Sequence, residues 1–127
     1  MKKRVVVTGI GVVSPLGIGI RENWERYLSG TSGIKEIAAE GMDTKTYAGK
    51  VSDVELEACI PEAKKGKIDK FTSFALVATK IALTDAKIGN GFNKEKIGVF
   101  MGSAFSGLNI IEEQIKMLYT DGPRRVH

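Results

Sequence analysis

The stretch from Asp69 to Asp85 constrains this chain more than any other. Phe71, Phe74, Ala75, Ala78, Ile81 and Ala82 recur at helical spacing along one stripe, and Leu76, Val77 and Leu83 lie off that stripe. A helix that is apolar on more than one side must be enclosed by other elements. Asp69 stands where an N-cap belongs, its side chain able to accept from an orphan amide of the first turn. The alanines leave room for neighbouring backbone to come close. Whatever this chain folds into is arranged around this helix.

The elements on either side alternate in type. Residues 4–8 carry three consecutive valines and read as a strand buried on both faces. Residues 9–17 form a Gly/Pro/Ser loop, and residues 21–29 a short amphipathic helix with Trp24, Tyr27 and Leu28 on one side and Gly30 as its stop. Residues 31–42 read as irregular, 47–51 as a short strand and 54–60 as a short helix ended by Pro61. Beyond the central helix, Asn90-Gly91 marks a turn and residues 97–101 a second buried strand, followed by a loop to Ser106. A last helix is expected with Ser106 as its cap and Leu108, Ile111, Ile115 and Leu118 as its buried face. Asp121-Gly122-Pro123 ends it. Strands alternating with helices predict an α/β fold with a largely parallel sheet. Two clear strands cannot complete such a sheet, so the expectation is part of a larger domain.

Composition narrows the class. With 127 residues, 43% hydrophobic and 27% charged, the chain has the profile of one globular domain, and its fifteen glycines forecast tight turns and close approaches. The net charge of +4 comes without a basic stripe interleaved with aromatics, which argues against nucleic acid. The opening MKKRVVVTGIGVV has charges before an apolar run, but the run contains Gly9 and Gly11, meets Ser14-Pro15 and has no small-residue cleavage site behind it. A buried strand is the expected reading there. No apolar segment approaches the roughly 20 residues of a membrane span. The single cysteine, Cys59, excludes an internal disulfide and fits a reducing, cytoplasmic setting.

Several short motifs do not carry the chemistry they suggest. Gly9-Ile10-Gly11-Val12-Val13-Ser14 resembles a dinucleotide fingerprint, but Ser14 replaces the third glycine, Pro15 follows, and the next helix begins several residues later. Ser103 and Ser106 lack the frame of a nucleophile elbow. The only histidine, His127, is the terminal residue and gives neither serine nor Cys59 a positioned base. Cys59 reads as a buried structural thiol, and one Cys with one His cannot make a zinc site. No cofactor or metal is expected. Lys64, Lys65, Lys67 and Lys70 form a basic cluster, with Arg124-Arg125 as a second. Either patch is a solvated surface or a steering surface for an acidic partner.

Five segments, in one order along the whole chain, resemble the β-ketoacyl-acyl carrier protein synthases of bacterial fatty-acid synthesis, in particular the KAS II type. RVVVTGIGVVSPLG is similar to that family's first strand and loop, ENWERYLSGTSGIKEI to its next helix and turn, and KIDKFTSFALVATKIALTDAKI to its long buried helix. IGVFMGSAFSGL resembles the following strand and glycine-rich loop, and DGPRRV the segment leading toward the active-site half. The first motif together with the GPRR ending is specific; any one piece alone is not.

The resemblance implies a thiolase-like fold, layered α-β-α-β-α, of which residues 1–127 form part of the N-terminal half, in an enzyme working as a homodimer. Such an enzyme takes an acyl group onto a cysteine and condenses it with malonyl-carrier protein, releasing carbon dioxide, while two histidines assist. In the family these three residues lie downstream of the GPRR-like segment. Neither Cys59 nor His127 matches them, so no catalytic residue is carried over, and the 127 residues alone are expected to be inactive. Phe105 falls where the family lines its acyl pocket, with Ser106 and Gly107 beside it in the same loop. Lys64, Lys65, Lys67, Arg124 and Arg125 fall near where the family docks its acidic acyl carrier protein, although Gly66 interrupts what is often a basic run. Three alternatives remain open on the sequence: a ketosynthase of a polyketide or aryl-polyene pathway, a chain-length partner subunit without the cysteine, and a non-catalytic carrier-protein-binding module.

Overall fold

The computed structural model describes residues 3–38, 45–65, 68–89, 93–104 and 106–126. Glycine, proline and a two-residue turn set the first local structure. Val13–Ser14 (β1) and Gly17–Ile18 (β2) pair antiparallel, Val13 opposite Ile18 and Ser14 opposite Gly17, so Pro15-Leu16 is the whole loop. Proline presets the φ that the first central turn position needs. Only two pairs form, and the chain then turns at Gly17 (φ 141°) and Gly19 (φ 101°), values an L side chain rarely adopts.

Helix α1, Ile20–Leu28, follows directly. It ends as the sequence predicts: Gly30, at φ 71°, donates to the Tyr27 carbonyl while Thr31 donates to that of Arg26, which is the Schellman arrangement. Its aromatic side is not buried. Trp24 and Tyr27 stack with ring centroids 5.8 Å apart and remain well exposed. Residues 31–42 were expected to be irregular, but Ile34–Ile37 (β3) pairs antiparallel with Thr46–Gly49 (β4), Ile34 opposite Gly49 and Ile37 opposite Thr46. The Pro15 ring packs against Gly33 and Gly49, where an added Cβ would lie 3.0 and 2.9 Å from it, and so joins the first hairpin to this second ladder.

Helix α2, Asp53–Ala58, is capped by Ser52, whose Oγ accepts from the Glu55 amide. A 3-10 turn at Glu62–Lys64 leads to the central helix α3, Lys70–Asp85. The Asp69 carboxylate caps α3 by accepting from the Thr72 amide at 2.6 Å. Val77 is the most enclosed large side chain and Ser73 is buried beside it, its hydroxyl donating to the Asp69 carbonyl. Val51, Leu56 and Ile60 complete the buried cluster, with Val13, Ile18, Cys59, Ile68, Phe74 and Ile81 packed around it. The enclosed side of α3 is therefore the Ser73–Val77 side, and the predicted Phe71-to-Ala82 stripe is half-buried.

That stripe meets the chain before β1. A Cβ on Gly11 would collide with the carbonyl of Ala78, and one on Gly9 with the carbonyl of Ala82 and the amide of Ala86. The Ile10 amide donates to the Asp85 carboxylate at 3.0 Å, tying the same segment to the C-terminal end of α3. The helix closes with Lys87 in the left-handed region (φ 54°), Ile88 donating to the Leu83 carbonyl.

Three expectations are corrected. Residues 4–8 and 97–101 form no ladder among the described residues, and both sheets are two-stranded and antiparallel rather than parallel. A strand buried on both faces needs partners at both edges and cover on both sides. Here Val5, Val7, Val99 and Phe100 are each more than three-quarters exposed. The last helix, α4 (Leu108–Asp121), is capped not by Ser106 but by Gly107 at φ 68°, without a side-chain cap bond. Only glycine takes that φ without strain, and Ser106 stands one residue too early. The predicted buried face of α4 is open: Leu108, Ile111, Ile115 and Leu118 are all exposed.

Gly11→Ala is expected to destabilise the chain by about 1–3 kcal/mol, because the methyl meets helix backbone, which cannot swing aside as a side chain could. Gly102→Ala, where an added Cβ meets nothing within 4 Å, is the neutral control. Urea titrations of both variants check the contrast, and equal midpoints would refute the close approach.

Candidate functional site

The segments on α3 enclose an open apolar groove of about 380 Å³. Its walls are Phe71, Phe74, Ala75 and Ala78 from α3, Gly11 to Val13 from the chain leading into the hairpin, and Met101-Gly102 from the segment that precedes α4. Phe71 and Phe74 reach it because they follow the Asp69 cap at the start of the helix. Gly11 brings its backbone close enough for Val12 and Val13 to form a wall.

Asp69 also organises the loop at the mouth. One carboxylate oxygen caps α3, and the other lies where a Cβ on Gly107 would come within 3.2 Å. The N-terminal ends of α3 and α4 therefore lie side by side around one carboxylate, which the amide dipoles of helix N-termini favour. Of the loop residues singled out in the sequence, Ser106 is exposed and Gly107 is the half-buried cap of α4. Phe105 lies outside the described residues.

The hairpin tip is held by two side chains of α1. Asn23 Nδ2 donates to the carbonyls of Gly17 and Gly19 at 2.9 and 2.7 Å, and its Oδ1 accepts from the Ser14 hydroxyl. Glu22 accepts from the Ile18 amide and pairs with Arg26. Neither residue was singled out in the sequence, and an ENWER run gives no sign that its amide will cap a loop six residues back. The sequence places Phe71 and Phe74 on the apolar stripe of α3 without singling them out for a site. Their place at the start of the helix, next to a glycine-rich segment, was the available clue.

The basic residues separate into two groups. Lys64 ends the 3-10 turn before α3, and Lys65 follows with its Nζ 2.7 Å from Glu62. That hydrogen bond, with the carboxylate's charge, raises the Lys65 pKa above 10.5. Lys70 pairs with Asp53 at 2.5 Å, and Lys50 reaches the same carboxylate at 3.4 Å. Arg124 and Arg125 lie exposed in the 3-10 turn Pro123–Arg125 after α4. Among the described residues Lys64, Arg124 and Arg125 have no ion-pair partner, and Lys67 lies outside those residues. Fourteen helical residues put the arginines about 20 Å along the α4 axis from Gly107.

Cys59 is a free, half-buried thiol at the C-cap of α2. It lines a separate groove of about 470 Å³ with Val77, Lys80, Ile81 and Asp85, and no base is within hydrogen-bond reach of its sulfur among the described residues. No group of three metal-ligating side chains occurs among them, and no described helix is long and apolar enough to cross a membrane.

The β-ketoacyl synthase N-terminal domain model matches residues 2–127, and the chain belongs to that family. It is 37% identical over 129 residues to 3-oxoacyl-[acyl-carrier-protein] synthase 2 of Staphylococcus aureus strain N315, covering 98% of this chain and 31% of that protein. The protein of the same name from Synechocystis is 33% identical over 127 residues, covering 98% and 30%. The chain thus spans just under a third of the length of these relatives.

Asp53 gives the site's electrostatics a measurable handle. The hydrogen bond from Lys70, aided by the charges of Lys70 and Lys50, holds its carboxyl below the ordinary 3.8. A depressed pKa contributes stability that is present above the unfolded value and lost as pH falls through the folded one. Lys70→Met should therefore cost about 0–1 kcal/mol at neutral pH, as exposed pairs do. It should also move the Asp53 carboxyl titration upward toward 3.8, read by carbon-detected NMR. An unmoved titration would mean that Lys70 does not set it.

Proposed function

We propose that these residues are the first part of the N-terminal domain of a β-ketoacyl-carrier protein synthase that elongates fatty acids, in a layered thiolase-like fold and a homodimeric, cytoplasmic enzyme. The family match along residues 2–127 carries this reading. The names of the relatives support a carrier protein as the partner that brings the substrate. In the reaction a cysteine thiolate displaces the carrier's thiol from the acyl thioester. The malonyl unit then loses carbon dioxide, and the resulting carbanion attacks the acyl carbonyl, expelling the cysteine. None of the 127 residues is assigned a part in those bond changes. Their proposed work is to shape the acyl site and to receive the carrier.

The groove between Phe71, Phe74 and Met101 supports the first role, since an acyl chain needs an apolar surface. Phe105, Ser106 and Gly107 are proposed as the adjoining wall, with the Phe105 ring limiting chain length. Each methylene admitted gains about 0.8 kcal/mol on burial. In a complete synthase, Phe105→Ala is thus expected to shift specificity toward longer acyl primers. An unchanged chain-length profile with a fall in melting temperature would make Phe105 core.

For docking, Lys64, Lys65, Lys67, Arg124 and Arg125 are proposed to face the acidic carrier. The ion pairs refine the choice: Lys65 is already engaged by Glu62, leaving Lys64, Arg124 and Arg125 to act. Exposed pairs contribute about 0–1 kcal/mol each, so several must act together. Reversing Lys64, Arg124 and Arg125 to Glu in a complete synthase should raise KM for carrier-borne substrates and spare small thioester mimics. Equal effects on both would refute the docking role.

A further inference from the structure

Asp69 serves two helices at once. Its carbonyl accepts from the Ser73 amide and from the Ser73 hydroxyl, both at 2.9 Å, and Ser73 is buried. Its Oδ1 accepts from the Thr72 amide at 2.6 Å. Backbone and side chain are thus fixed against the first turn of α3, independently of α4. The other oxygen, Oδ2, faces α4, 3.2 Å from where a Cβ on Gly107 would stand. Helix α4 has no side-chain cap bond and no acidic residue in its first turn, and its first internal bond runs from the Ile111 amide to the Gly107 carbonyl. The amides of Leu108, Asn109 and Ile110 therefore have no acceptor inside the helix. The carboxylate at that end comes from another helix.

We propose that Asp69 is a positioning residue for acyl selectivity: by holding the start of α4 against the start of α3, it sets the spacing between the Phe71-Phe74 wall of the apolar groove and the Met101-Gly102 wall. Phe71 and Phe74 are the second and fifth residues of the helix that Asp69 caps. Met101-Gly102 lies at one end of a short loop, residues 103–106, whose other end is Gly107. Moving the start of α4 away from α3 carries that loop along and widens the groove. Charge matters here as well as shape, because the helix dipole places partial positive charge at the α4 terminus. Glycine at 107 keeps Oδ2 in reach, since its φ of 68° favours glycine and a Cβ would crowd the carboxylate. The inference deepens the acyl-site role proposed for this groove and rests on it.

The test uses a complete synthase that carries these residues. Asp69→Asn keeps an oxygen for the Thr72 amide, since Asn caps as well as Asp, and removes the charge facing α4. Asp69→Ser also retains a cap and takes the second oxygen away. Both variants are expected to raise the ratio of kcat/KM for longer over shorter acyl primers by about two- to fivefold, the range that a charge at a helix N-terminus spans. Hydrogen exchange at residues 107–111 should quicken while that at residues 72–76 stays unchanged. Ser52→Ala, which strips the cap of α2 and lies off the groove, should lower stability without moving the ratio. Phe74→Ala separates the two readings. If it alters the ratio and neither Asp69 variant does, the groove is the acyl site and the positioning role is overturned. Exchange that quickens equally in both helices would make Asp69 a cap of α3 alone and overturn it too. If none of these three variants changes the ratio, the acyl-site reading of the groove falls with it.

Discussion

The arrangement depends on backbone meeting backbone where Gly9 and Gly11 cross α3. Two residues of extended chain advance about 6.6 Å, and one i to i+4 step along a helix advances about 6.0 Å. The glycines at 9 and 11 can thus follow Ala78, Ala82 and Ala86 in register, each glycine seated against one turn. A side chain on either partner would push the two apart. The contact gains little from burial, because glycine and alanine have little to bury. Its importance lies in position: it fixes the extended segment across α3, and everything from the hairpin to the groove wall takes its place from that.

Directional bonds then complete what the close approach begins. The Ile10 amide, lying between the two glycines, finds the Asp85 carboxylate at one end of the helix. At the other end Asp69 caps α3 and lies against Gly107 at the start of α4. Between these anchors, Asn23 satisfies two loop carbonyls and the Ser14 hydroxyl, backbone and side-chain groups that a Gly/Pro loop would otherwise leave to water. Two of the groove's bounding elements, the segment before the hairpin and α3, are therefore held through specific polar contacts, while the groove's surface is apolar.

Local signals were legible in the sequence and partner-dependent ones were not. Gly30, Asp69 and Pro61 act within a turn or two of the backbone, and each helix boundary they announced stands within a residue or two. The pairing of β3 with β4 was missed because Ile34–Ile37 alternates weakly and its partner lies across a long connection. The cap at Gly107 was misread because Ser106 has the better side chain, while the left-handed φ was decided by the loop around it. The valine-rich run at 5–7 was read correctly as a sequence that wants cover and wrongly as one that has it here. Of the site, the polarity and exposure of Lys64, Arg124 and Arg125 could be read from composition. That Lys65 already has a carboxylate, and that Phe71 and Phe74 line a groove, required the third dimension.

The distribution of apolar residues argues in the same direction as the family match. Among the described residues four side chains, Val51, Leu56, Ile60 and Val77, form the buried cluster. Val5, Val6, Val7, Val99, Phe100 and Met101 lie exposed in two segments whose composition is that of strands covered on both faces. Burying apolar surface is the main favourable term in folding, and a cluster of four offsets little of the chain's conformational entropy. A sequence that places its β-branched residues there is patterned for a body larger than the one these elements enclose alone.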